Sequence, residues 1–134
     1  MATQVAIVPH THWDREWYSP FQTFRMRLVK LLDTLLPMLE RDLSYARFLL
    51  DGQTAVLDDY LEVRPEAAAT LTRLGASERL SIGPWAVLMD EFMVSGETMV
   101  RDLQFGIERG AQPVHEVLQP AGRHRELPIL CRPA

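Results

Sequence analysis

Between two short apolar runs, Val5 to Val8 and Ala46 to Leu50, the chain sets Phe21, Phe24, Leu28, Leu31 or Leu32, Leu35 and Leu39 at helical spacing. Arg25, Arg27 and Arg41 fall on other faces, so this stretch is an amphipathic helix whose apolar stripe requires a partner layer. Pro37 removes one backbone donor and is expected to break or kink it. Gln4 to Val8, β-branched and bounded by Pro9, predicts a short buried strand, and Ala46 to Leu50 a second one closed by Asp51-Gly52. Leu57, Tyr60 and Leu61 mark a short helix that ends before Pro65, because the residue before a proline avoids the helical region. Pro65 suits the first turn of the next helix and Gly75 its C-terminal cap. Arg79 to Ile82 predicts a third strand. Ser95 is a candidate N-cap and Glu97 suits the first turn, with Met99, Val100, Leu103 and Ile107 carrying the last helix to Gly110. Alternating strands and helices define an α/β fold of βαβ units around a parallel sheet. Ligands of such sheets bind beyond the carboxyl ends of the strands, so the loops after all three strands share one rim.

That rim carries the chemistry. His10-Thr11-His12-Trp13-Asp14 leaves the first strand, and in an extended segment alternate side chains point the same way. His10, His12 and Asp14 can therefore converge. Two imidazoles and a carboxylate without a thiolate are the donors that a catalytic Zn²⁺, or a similar divalent ion, prefers. A bare His-x-His would be read as surface histidines at a strand end. The added Asp14, and Trp17 three residues further on, turn the balance toward a metal site beside an aromatic face. Asp51 and Gln53 suit plain turn chemistry as well as a supporting role, and Asp90 taken alone would be half of a solvated acidic pair with Glu91.

The motif His10-x-His12-x-Asp14-x-x-Trp17 resembles the opening motif of the family-38 glycoside hydrolases, the retaining α-mannosidases. Asp51-Gly52-Gln53, Ile82-Gly83-Pro84-Trp85, Asp90-Glu91-Phe92 and Ser95-Gly96-Glu97 resemble bacterial members, in order and at natural spacing, over roughly residues 4 to 110. The resemblance implies the N-terminal βαβ portion of a parallel-sheet, seven-stranded, barrel-like domain. It implies that His12, Asp14 and Asp90 bind Zn²⁺, which would hold sugar hydroxyls and stabilise an oxocarbenium-like ring. It also implies that Asp90 is the nucleophile forming a glycosyl-enzyme, and that Trp17 packs on the sugar of an α-mannoside or mannose-containing oligosaccharide. His10 is expected to orient ligands rather than bind the ion. The family's acid/base carboxylic acid and a further histidine ligand have no counterpart in this sequence.

A 134-residue chain can build one domain with a real core, and 47% hydrophobic with 24% charged residues is ordinary for a soluble globular protein. Residues 1–110 form the expected domain. Residues 111–134, with four of the nine prolines and no periodicity, form a divergent tail expected to be disordered or frame-shifted. His115 and His124 lie in that tail and carry no assigned role. The net charge of −4 argues against nucleic acid. Cys131 is the single cysteine, so an internal disulfide is impossible. The N-terminus shows no leader pattern, and the apolar stretch from Leu28 to Leu39 holds Lys30, Asp33 and Pro37, so no membrane association and a cytoplasmic location are expected. Two other classes remain open at this point. One is a metal-dependent amidohydrolase, which would need further histidines where residues 40–110 have none; the other is a non-catalytic metal-binding fragment.

Overall fold

The computed structural model describes residues 3–111; the tail expected at 111–134 lies outside them from residue 112 onward. Four helices are present: α1 (Phe21–Arg41), α2 (Ala55–Leu61), α3 (Ala68–Ala76) and α4 (Gly96–Ala111). Two strands, β1 (Phe48–Leu50) and β2 (Leu80–Ile82), pair in parallel with Phe48 opposite Leu80 and Leu50 opposite Ile82. The βαβ connection is therefore real, and its sheet is narrower than the alternation predicts. The fold is a mixed α/β unit with a two-stranded parallel sheet, not a demonstrated seven-stranded barrel.

The leucine stripe behaves as periodicity requires. Leu28, Leu32, Leu35, Leu36 and Leu39 are buried against Leu57, Tyr60, Leu61, Leu71 and Leu74 from the next two helices, with Phe48, Leu50 and Leu80 supplied by the sheet. Of the alternatives Leu31 and Leu32, Leu32 is the core residue, fully buried. Pro37 does not break α1, which runs through it to Arg41. Buried leucines on both sides hold that segment in place against the lost hydrogen bond.

Gly75 is inside α3 rather than at its cap. The left-handed position is Glu78 (φ 56°), with Arg79 N–H donating to Leu74 O and Glu78 N–H to Gly75 O, a Schellman closure. Arg47 reaches the Glu78 carboxylate at 3.0 Å.

The segment Val5 to Val8 is not a buried strand; Val5, Ile7 and Val8 are 80%, 90% and 61% exposed. It meets β1 only at the parallel bridge between His10 and Leu49, where Leu49 N–H donates to Pro9 O and Thr11 N–H to Leu49 O. The physical reason begins at Pro9, which has no N–H to donate to Arg47 O, so the ladder stops one step above the bridge. Further up, Arg79 already donates to the Tyr45 carbonyl. α4 also departs from expectation. Val100 and Ile107 of its apolar stripe are about half exposed, and its buried residue is Gly106.

Behind α1, Asp33 accepts hydrogen bonds from Tyr60 Oη (2.9 Å) and from Arg64. Partial burial opposes the charge on Asp33, yet the bonds from Arg64 and Tyr60 and the Arg64 charge hold its carboxyl below the ordinary range. Burial first, and the bond to Asp33 second, push the Tyr60 phenol above its ordinary value. No helix among the described residues is long and apolar enough to cross a membrane.

Candidate active site

Three loops meet beyond the carboxyl ends of the parallel segments: residues 10–18, the Asp51-Gly52-Gln53 turn, and residues 85–93. Backbone bonds lock the last two together, from Thr54 N–H to Trp85 O (2.8 Å), Ala55 N–H to Ala86 O (2.9 Å) and Trp85 N–H to Gly52 O (3.1 Å). The turn itself needs left-handed backbone at Asp51 (φ 46°) and Gly52 (φ 69°), a conformation that Asp and Gly tolerate best.

In the first loop His12 and Asp14 do converge. His12 Nε2 lies 3.7 Å from Asp14 Oδ1, with both side chains open to solvent. Behind the ring, His12 Nδ1 faces the buried carboxylate of Asp51 at 3.8 Å. His10 does not join them: its Nδ1 sits 2.8 Å from Thr11 O, and its main chain forms the bridge to Leu49. Trp13 and Trp17 take opposite parts. Trp13 packs edge-on to Phe24 against the core, and Trp17 stands 78% exposed at the rim.

Asp90 is exposed, and the apolar run Ala86 to Met89 that leads to it gives no shelter: Val87 and Leu88 are themselves 38% and 39% exposed. Its Oδ1 accepts from Phe92 N–H at 3.1 Å, closing an Asx turn. Among the described residues, no three His, Cys, Asp or Glu side chains gather closely enough to hold an ion. The His12–Asp14 pair is thus formed, and Asp90 stands on a neighbouring arm. The two arms are joined by Leu88 N–H, which points to Gln53 Oε1 at 3.4 Å.

Local sequence did not mark two anchors of this site. Arg15 places both fork nitrogens 2.7 Å from the Asp59 carboxylate on α2, and its guanidinium lies 5.0 Å from the Phe21 ring centre. The hydrogen bonds to Asp59 outweigh burial and hold Arg15 above its ordinary pKa. Gly106 is the other anchor. A Cβ there would collide with backbone atoms of Pro84, Trp85 and Ala86, so only glycine lets α4 touch the third loop. A cleft of about 420 Å³ along α1, bordered by Arg25, Met26, Asp33, Val63 and Arg64, has none of His12, Asp14 or Asp90 in its wall.

Comparison with known proteins identifies the family of this α/β unit. The family model described as "Glycosyl hydrolases family 38 N-terminal domain" matches residues 2–119. The chain belongs to glycoside hydrolase family 38. It is 46% identical over 102 residues to a Halalkalibacterium halodurans protein provisionally named a mannosylglycerate hydrolase, covering 76% of this chain and 11% of that one. An α-mannosidase structure from Enterococcus faecalis V583 superposes with a TM-score of 0.73 at 44% identity, over 76% of this chain and 12% of that one. A second family-38 structure from Enterococcus faecalis gives 0.70 at 36%, over 86% and 13%. The chain therefore spans about one eighth of the relatives it matches. Family membership removes the amidohydrolase alternative.

Proposed function

We propose that this chain supplies the first half of a retaining α-mannosidase site. In that site His12, Asp14 and Asp90 hold Zn²⁺, Asp90 is the nucleophile and Trp17 faces the sugar. The observation that carries the reading is the His12–Asp14 pair, open to solvent and backed by a buried carboxylate. The donor set fits the ion: imidazole nitrogen and carboxylate oxygen without thiolate suit zinc, and other divalent ions are compatible with it. When bound, the ion supplies Lewis-acid stabilisation to sugar oxygens.

The rest of the chemistry belongs to protein groups. An Asp90 carboxylate oxygen forms a bond to the anomeric carbon as the glycosidic C–O bond breaks, and water later releases the sugar. The departing oxygen takes its proton from a second carboxylic acid. This sequence has no counterpart of that acid, so the chain alone is expected to turn over little or no α-mannoside. Its exposed acidic rim favours a neutral saccharide over nucleic acid, and a cytoplasmic setting is part of the same proposal.

Zinc stoichiometry and affinity, measured on the purified chain beside a His12→Ala/Asp14→Ala variant, test the reading. Uptake near one ion per chain, lost in the variant, supports it. An aryl α-mannoside assay of the zinc-loaded chain then separates a working enzyme from a metal-binding fragment. A chain that ignores zinc sinks the metal half of the proposal.

A further inference from the structure

Gln53 is 1% exposed and spends both amide donors and one lone pair of its carbonyl on the site. Its Nε2 donates to Trp13 O and to Asp51 Oδ2, both at 2.8 Å, while its Oε1 accepts from Leu88 N–H. Asp51 Oδ2 also accepts from Trp13 N–H at 2.6 Å. One carboxylate oxygen is thereby fixed by two donors. The other, Oδ1, is left aimed at His12 Nδ1. A carboxamide this buried, serving two loops and a turn, is more than turn chemistry demands.

The His12 ring lies between two carboxylates, Asp51 on its Nδ1 side and Asp14 on its Nε2 side. A neutral imidazole carries one N–H and can satisfy only one of them. The Asp51 side chain is 5% exposed and that of Asp14 45%, so water screens the pull of Asp14 far more. At 3.8 Å the Asp51 carboxylate acts on the ring as a charge and not as a hydrogen-bond partner, and that charge favours the proton on Nδ1. That leaves the Nε2 lone pair and the Asp14 carboxylate facing each other across 3.7 Å, two acceptors that call for a cation between them.

We propose that Asp51, held in orientation by Gln53, is a positioning residue that fixes the His12 tautomer with Nε2 free for the ion. Gln53 in the same act sets the spacing between the His12–Asp14 arm and the Asp90 arm. This rests on the reading of His12 and Asp14 as ligands, and its direct readout needs no metal.

The test is Asp51→Asn, with Gln53→Met as a second variant. In Asp51→Asn the amide oxygen keeps the bonds from Trp13 and Gln53, while its NH₂ replaces the oxygen facing His12 and favours the opposite tautomer. Long-range ¹H–¹⁵N spectra of the metal-free full chain at about pH 8, above the ordinary histidine range, report which nitrogen carries the proton. The expected result is Nδ1–H in the unaltered chain and Nε2–H in Asp51→Asn. Zn²⁺ affinity should fall by about 10- to 100-fold in Asp51→Asn, the usual effect of removing an orienting partner. Gln53→Met should weaken Zn²⁺ binding as well and speed amide exchange at Leu88.

An unaltered chain with its proton on Nε2 overturns the proposal without any variant. An unchanged tautomer in Asp51→Asn, or undiminished zinc affinity there, overturns it too. If the tautomer switches but the unaltered chain binds no zinc, Asp51 does set His12 and the metal reading is what has failed.

Discussion

Arg15→Met is expected to be among the most damaging single changes on the rim, and the Arg15–Asp59 geometry shows why. Asp59 is buried, its side chain 7% exposed, and both its carboxylate oxygens take their bonds from the Arg15 fork at 2.7 Å. Removing the guanidinium strands that charge. Breaking a buried pair this way costs about 3–5 kcal/mol, and the 39% exposure of Arg15 lets water recover part of it, which leaves about 2–4 kcal/mol. Asp59→Asn acts differently. It neutralises the buried partner, keeps one acceptor, and frees an arginine that can turn into solvent, for about 1–2 kcal/mol. Urea titrations of both single variants and of the double variant should show coupling of about 1–2 kcal/mol. Thermal midpoints should drop by roughly 4–8 °C per kcal/mol in a domain of this size. A loss below about 1 kcal/mol for Arg15→Met, or equal losses for the two single variants, would refute the reasoning. By contrast, the exposed pairs Arg47–Glu78 and Arg101–Glu97 are worth at most about 1 kcal/mol each.

Gly106→Ala should force α4 off the third loop, because the new methyl meets backbone that cannot rotate aside. A stability loss of about 1–3 kcal/mol or more is expected, with faster amide exchange at Ala86 and Val87. Alkaline stability should track Tyr60. Its raised pKa means that the folded state holds the proton more tightly, so the contribution is intact below about pH 10 and is lost as pH rises further. Denaturation midpoints of Tyr60→Phe should show a flatter alkaline limb. Asp33 works at the other end, where its lowered carboxyl contributes above about pH 4 and the contribution fades as pH falls through the folded value. Trp17→Ala should leave the unfolding free energy within about 0.5 kcal/mol of the parent, since the ring is 78% exposed. A large loss would place Trp17 in the framework instead of on the sugar side.

Periodicity carried the helices and both observed strands because those signals are local: a leucine every three or four residues in α1, short apolar runs at Phe48 and Leu80. The Ser95 N-cap was legible for the same reason, and Thr98 N–H does donate to its Oγ. What failed was decided at a distance. Val5 to Val8 has strand composition, but Pro9 offers no N–H to extend the ladder, and Arg79, more than 70 residues on, holds the Tyr45 carbonyl. Arg15 finds Asp59 across 44 residues of chain, and nothing near either residue announces the other. Asp51 and Gln53 show how far a motif can go. The turn residues were visible, whereas the burial that makes them a junction depends on the meeting of three loops. Gly106 had a faint signal, a glycine between Phe105 and Ile107 in an otherwise helical pattern, whose reason appears only when the facing backbone is known.

The two stems of the Asp90 loop rest on one and the same helix. Upstream, Ala86 N–H donates to Asp102 O and Val87 N–H to the Asp102 carboxylate, beside the bare Gly106 backbone. Downstream, Ser95 is the cap from which α4 begins. The loop is thus closed like a handle on a drawer, and it travels with whatever moves α4. Where α4 sits therefore decides where the two ends of the Asp90 loop are held.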